Sequence, residues 1–376
     1  MKKKEDNIDK KSKRLLSLDA LRGFDMFLIA GGGGLIKALS VYTDWGVFNA
    51  IAQQTKHVEW HGFAFWDMIF PLFLFIAGVA MPYSIGRRLE RGDSRKEIYL
   101  HSLKRCLLLV FLGFLYNGFL DFDWEDMRYA QVLGRIGLAW FFAVVIFMNT
   151  SKKGQMIWLA GILLGYWAMM KLIPVPGYGA GVLTMEGNFA GYIDRLFLPG
   201  RLAFGSMDPE GILSTIPAVA TALLGVMTGH FLRSEREGVT MLKKGLTLGA
   251  IGIVFLGVGL LWDLAFPINK KIWTSSFVIY AGGWSLILLS IFYLIIDVWG
   301  FKRWALFFVV IGLNPITIYM CNRGVLRFDS PRDFFFTGFI NLFSEPAQPV
   351  IKVLAYIVVS WLFLYFLYRK KIFLRV

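Results

Sequence analysis

Cysteine and histidine are scarce in this chain of 376 residues, which holds two of the first and four of the second. Cys106 and Cys321 are distant in sequence and each lies in an apolar run, so no disulfide framework is expected. His57 and His61 are four apart but do not form the His-Glu-x-x-His pattern, and His230 lies in a separate run, so no metal site is expected. Charge is also thin, at 18% of residues, where soluble domains carry about a quarter. Long polar linkers and repeats of fixed period are missing, so nothing divides the chain into several domains.

What remains is apolar sequence, 56% of the chain. Runs of about 20 residues recur, each able to cross a hydrocarbon core roughly 30 Å thick. Ten spans are expected, at 16–39, 63–86, 98–118, 129–148, 154–173, 209–232, 244–266, 275–297, 303–321 and 350–369. The fold class is therefore all-α, a polytopic membrane protein of about ten transmembrane helices. A folded external loop is expected between the fifth and sixth, because 174–208 mixes Gly and Pro with aromatic and aliphatic residues. A soluble protein with a large core would not repeat the spanning pattern so often. The organisation is a basic tail at 1–14 followed by one membrane domain at 15–376.

Most of the 40 Lys and Arg residues fall in 2–14, 87–105, 152–153, 233–244, 302–303 and 369–375. That alternation places both termini in the cytoplasm by the positive-inside rule. The net charge of +14 thus encodes topology and contact with anionic lipid. No continuous basic stripe exists, so nucleic acid is not an expected partner. Asp19, Arg22 and Asp25 interrupt the first apolar run, so it reads as an uncleaved span rather than a signal peptide.

Several polar residues need explaining in such a setting. His57, Glu59 and His61 stand where the second span begins, on the outer side. Imidazole titrates nearest physiological pH, so His57 is a candidate general base or acyl acceptor; the bland alternative is interfacial hydrogen bonding near Trp60. Asp67 either orients His57 or pairs with a cation such as Arg135, and Pro71 is expected to bend the second helix. Asp208 reads as the N-cap of the sixth span, with Pro209 and Glu210 in its first turn, unless the acids bind substrate. Asn269 and Lys270 lie on the same outer side. Arg22 either forms a ladder with Asp19 and Asp25 or joins Arg87, Arg88 and Arg105 in holding phosphate groups from the cytoplasm. The "GGGG" at 31–34 reads as close helix packing, and Asn314–Pro315 as a kink or a polar contact.

Seven stretches in order, "RLLSLDALRG", "HVEWHGFAFWDMIFPLFLFIAG", "VLGRIGL", "GYIDRL", "DPEGILSTI", "NKKIWTSSF" and "LNPITIY", run through the whole chain. In them the chain resembles the transmembrane family of heparan-α-glucosaminide N-acetyltransferase and its bacterial relatives. The resemblance implies acetyl transfer from cytoplasmic acetyl-CoA to an amino sugar across the membrane, in an integral multi-pass protein of the bacterial inner membrane. It places the family's histidine pattern, His-x-x-Trp-x-Gly before Asp-x-(Ile/Val)-Phe-Pro, on His57, Trp60, Gly62, Asp67, Ile69, Phe70 and Pro71. His57 and Asp67 are then the catalytic candidates. Trp60, Asp208, Glu210, Asn269 and Lys270 would face the acceptor, with Asn269 or Lys270 steadying the oxyanion. Arg22, Arg87, Arg88 and Arg105 would hold acetyl-CoA. Expected partners are the amino sugar or a terminal glucosamine of a glycan, membrane lipids and, in a homodimer, a second copy. The sequence departs from the animal enzymes in lacking their large luminal domain and leading span. It also has "IAGGGGLI" where they carry an asparagine, which leaves the acceptor open. The rival readings are an O-acyltransferase of an exported polysaccharide and a sugar or glycan transporter without chemistry.

Overall fold

The computed structural model describes residues 15–235, 237–321 and 327–373; the basic tail at 1–14 lies outside the described residues. The chain is helical almost throughout. Its order is α1 (Leu16–Phe27), α2 (Gly33–Thr43), α3 (Gly46–Gln53), α4 (Ile69–Glu90), α5 (Arg95–Tyr116), α6 (Val132–Asn149) and α7 (Lys152–Leu172). A two-stranded antiparallel pair follows, β1 (Pro174–Val175) and β2 (Gly179–Ala180), and then α8 (Phe189–Phe197). The remainder is α9 (Thr215–Arg233), α10 (Met241–Asp263), α11 (Ser275–Phe292), α12 (Ala305–Gly312), α13 (Pro315–Cys321), α14 (Asp329–Ile340) and α15 (Gln348–Arg369).

Among the described residues, 9 helices are long and apolar enough to cross a membrane. The helices divide into a centre and a periphery. In α4 and α9 72% of the apolar stretch is buried, but only 22% in α7 and α10. Ile157, Trp158, Ile253 and Leu261 therefore face outward on helices too apolar for water, and lipid is the solvent that suits them. At the centre α4 and α9 touch backbone to backbone. A Cβ on Gly78 would sit 2.1 Å from the Ala222 carbonyl oxygen, and one on Gly225 2.1 Å from that of Phe75. Small residues permit this approach, and packing replaces the hydrophobic effect that lipid removes.

Three expected spans take a different form. The first continues to Thr43 through a wider turn at Leu28–Gly32, with a break at Gly31. Gly31 and Gly34 there pack on Ile357 and Val353 of α15, as close packing of the glycine run predicts. The sixth begins at Thr215 rather than 209, so Asp208 is not its N-cap. The Arg128 guanidinium has claimed the Asp208 carboxylate, as described below. The segment 303–321 is not one helix but α12 and α13, broken at Leu313–Asn314 ahead of Pro315, whose ring disfavours helical geometry in the residue before it. Pro71 falls in the first turn of α4, where a missing N–H costs nothing, so it does not bend the helix; Pro82 is the interior proline.

One end of the bundle is tied by short connections. Arg95 donates to the Met148 carbonyl, Lys244 to that of Leu232 at 2.8 Å, and Asp297 accepts the Leu16 and Ser17 amides at 3.3 and 3.2 Å. The other end collects the long loops 54–64, 117–131, 173–214 and 264–274. Within 173–214, Asn188 caps α8 by accepting the Gly191 amide at 2.7 Å. Asp194 on α8 then accepts the Ile212 and Asp208 amides at 2.9 and 3.3 Å, so this loop is folded.

Candidate active site

His57 follows α3 in an irregular stretch that must turn back before α4 can start. The turn is held by Asp67, which is 2% exposed. Its Oδ2 accepts the Ala64 amide at 3.0 Å, and its Oδ1 lies 2.7 Å from His57 Nδ1. With Nδ1 donating to the carboxylate, Nε2 carries the ring's lone pair, and Lys270 Nζ lies 3.4 Å from it. The His57 side chain is 51% exposed, so this nitrogen belongs to an accessible group.

Lys270 reaches the same carboxylate from the loop between α10 and α11. Its Nζ is 3.5 Å from Asp67 Oδ1 and 3.0 Å from His57 Nδ1. Burial pushes the Lys270 ammonium below its ordinary pKa, and the charges of Asp67 and Glu210 oppose that shift. The Gly62 amide donates to the Ile268 carbonyl at 2.9 Å and ties these two loops, while Trp60 Nε1 donates to the Leu183 carbonyl at 2.9 Å and ties the first of them to 173–214. His61 makes a separate pair with Asp263 at 2.9 Å.

These groups border a cavity of about 300 Å³. His57, Glu59, Trp60, Asp67, Glu210 and Lys270 line it, with Lys271 and Trp273 opposite. Trp273 has a φ of 51°, a left-handed conformation rare for a bulky residue and found where surrounding structure over-determines the backbone. Beside the cavity Arg128 grips Asp208 with two bonds, 2.7 Å from Nε and 2.6 Å from Nη2, and also donates to Glu210. Asp208 is fully enclosed there and further accepts the Ala203 and Glu210 amides. Burial works against the Arg128 charge, but the bonds to Asp208 and Glu210 outweigh it and raise its pKa.

The structure thus brings His57, Asp67, Trp60, Glu210 and Lys270 together and leaves other candidates elsewhere. Asp208 is a structural partner of Arg128. The Asn269 Oδ1 accepts the Lys271 and Ile272 amides at 2.8 and 3.2 Å, so that side chain shapes its own loop and has no free carbonyl for the cavity. Arg22, Arg87, Arg88 and Arg105 belong to helices α1, α4 and α5. Arg88 donates to Asp93 at 2.8 Å, and Arg87 sits 5.9 Å from the Tyr83 ring. Arg105 lies 4.2 Å over the Trp140 ring and near enough to Arg22 for their charges to interact. No cluster of three or more metal-ligating side chains occurs among the described residues.

A family described as a domain of unknown function (DUF5009) matches residues 14–173. Across 417 positions the chain is 26% identical to the heparan-alpha-glucosaminide N-acetyltransferase of Homo sapiens, covering 96% of this chain and 60% of that protein. The chain is a distant relative of that acetyltransferase. The Mus musculus protein of the same name is also 26% identical, with 96% of this chain and 61% of that protein covered. This chain therefore spans about 60% of the length of the curated relatives it matches.

Sequence reasoning missed Arg128 and Trp273. Arg128 was legible only as a lone base after the acidic "DFDWED", with nothing local to tie it to Asp208 eighty residues on. Trp273 sits inside "NKKIWTSSF", but tryptophans are common in this chain and its backbone conformation is a tertiary property.

Proposed function

We propose that this chain is a membrane acetyltransferase that moves acetyl from acetyl-CoA to the amine of a glucosamine-type sugar bound in the His57 cavity. The observation that carries the reading is the His57–Asp67 pair, with the carboxylate fixing Nδ1 and leaving Nε2 as the base in a side chain that lines the cavity. The name of the relatives supports the same chemistry.

The acceptor enters at the loop-rich end. The cavity wall carries Glu59, Lys270 and Lys271, with Glu210 held by Arg128, so its polar groups suit a sugar, and the name of the relatives points to the amine as the acceptor group. Trp60 offers an apolar face to the sugar ring. His57 Nε2 takes a proton from the amine as nitrogen attacks the thioester carbon, or accepts the acetyl group first and passes it on. Lys270 Nζ stands beside the imidazole as a donor to the developing anion. The donor's phosphates remain at the opposite, basic end, which in this reading is cytoplasmic and holds both termini. Arg22 and Arg105, both partly buried, are the cations placed to meet them.

The test is free-thiol release from acetyl-CoA by detergent-purified protein, with and without glucosamine. The expected result is glucosamine-dependent release that His57→Ala loses. Release unchanged in that variant, or solute uptake into vesicles with no thiol release, would reject the reading.

A further inference from the structure

Arg135 is used by none of the steps above, yet it is the most unusual charge in the molecule. It sits in the first turn of α6 and is 2% exposed. Its Nη2 donates to Ser214 Oγ and lies 3.5 Å from the Gly211 carbonyl oxygen, while Nε and Nη1 have no hydrogen-bond partner. Three carboxylates act on its charge, but all are engaged by others. Asp208 and Glu210 bond Arg128, and Asp194 bonds backbone amides. A purely structural residue at such a place would be better apolar, because an enclosed guanidinium with idle N–H groups costs stability until an oxygen meets them.

The surroundings indicate which oxygen. The Arg135 guanidinium lies 5.0 Å over the ring of Trp273, a wall of the His57 cavity. Trp273 packs edge-on against Phe70 at 4.9 Å. Phe70 in turn lines a second, apolar cavity of about 50 Å³ together with Val132, Leu133 and Ile136, the neighbours of Arg135 on α6. Arg135 itself lines neither cavity; it stands against Trp273, which walls the first, and beside the α6 residues that wall the second, at the partition between them. A donor held at the basic end must present its acyl group across this partition.

Resting on the acetyltransferase reading, we propose that Arg135 is a catalytic residue whose free N–H groups bind the thioester carbonyl oxygen and stabilise the oxyanion formed from it. The acceptor nitrogen bonds to the carbonyl carbon as His57 Nε2 removes its proton, and the C=O π pair moves onto the oxygen facing Arg135. Collapse restores the C=O and breaks the C–S bond. The leaving thiolate takes the proton that His57 removed from the amine, so one amide and one free thiol result.

The test compares wild type with Arg135→Lys, Arg135→Gln, Arg135→Met and Arg135→Ala by thiol release, fitting kcat and KM for glucosamine and acetyl-CoA. Thermal unfolding is followed in parallel. Loss of an oxyanion donor predicts a kcat lower by about 100-fold or more in the Gln and Met variants, with little change in the KM for glucosamine. The Lys variant should keep more activity, and guanidinium ion should restore part of it to Arg135→Ala. A Met variant with wild-type kcat would overturn the proposal. So would losses that only track the unfolded fraction, with no guanidinium rescue. If wild type itself releases no thiol, the acetyltransferase reading fails separately, and binding then decides. A loss of affinity in Arg135→Met for acetyl-CoA but not for CoA retains the oxygen site; equal affinities reject it.

Discussion

Two charged clusters border the same cavity, and they are built alike yet finished differently. In each, a buried carboxylate is held by backbone amides and met by cations from a distant loop. Asp67 spends its remaining valence on His57 and Lys270, which leaves the imidazole Nε2 with no carboxylate partner and Lys270 Nζ 3.4 Å from it. Asp208 spends its own on both arms of Arg128, and Glu210 takes what is left of the guanidinium. The first cluster has unsatisfied capacity and can do chemistry. The second is closed and can only hold loops 117–131 and 173–214 together. Buried carboxylates alone do not mark a site; the difference is whether a titratable group is left unsaturated.

Breaking each cluster should therefore have different symptoms. His57→Ala should abolish acceptor-dependent thiol release, a loss of about 1,000-fold or more, with the melting temperature of the purified protein nearly unchanged. Arg128→Met should do the reverse in kind. It strands a fully enclosed Asp208, a cost of about 3–5 kcal/mol for a broken buried pair, read as a lower melting temperature and early proteolysis within 173–214. Lys270→Met should cost about tenfold in kcat, because it removes the group beside the imidazole and the developing anion, and thiol-release kinetics measure it.

A smaller effect separates the clusters by pH. Burial raises the Asp194 carboxyl to about 6, against the pull of the Ile212 and Asp208 amides. An acid whose folded pKa lies above its unfolded one stabilises most when protonated, so this contribution is lost as pH rises from about 4 to about 6. Melting curves across that window should fall in wild type and flatten in Asp194→Asn. The smallest change is expected from His61→Ala. Its pair with Asp263 is more than half exposed on the histidine side, and such pairs are worth at most about 1 kcal/mol. A large loss of activity there would move the working imidazole from His57 to His61.

The sequence was readable wherever the physics is local. Partition of twenty apolar residues into lipid depends on the segment itself, so most span positions, the folded loop and the basic bias of one end were legible in the residues alone. The residues alone left His57 and His61 both open and Asp67 divided between His57 and a cation such as Arg135; the family resemblance singled out His57, and the structure brings Asp67 to it across 10 residues. Tertiary structure alone decided which carboxylate each cation would meet. Lys270 comes to His57 from 213 residues away and Arg128 to Asp208 from 80, and no local pattern encodes those encounters. It decided as well that Asp208 would serve a clamp instead of a helix cap, because a bidentate arginine in an enclosed setting outweighs a single amide bond. It also placed Arg135 against Trp273 at the wall between two cavities. Sequence selects which residues must be buried in lipid or protein; packing of the helices decides which buried charges find partners and which are left free to act.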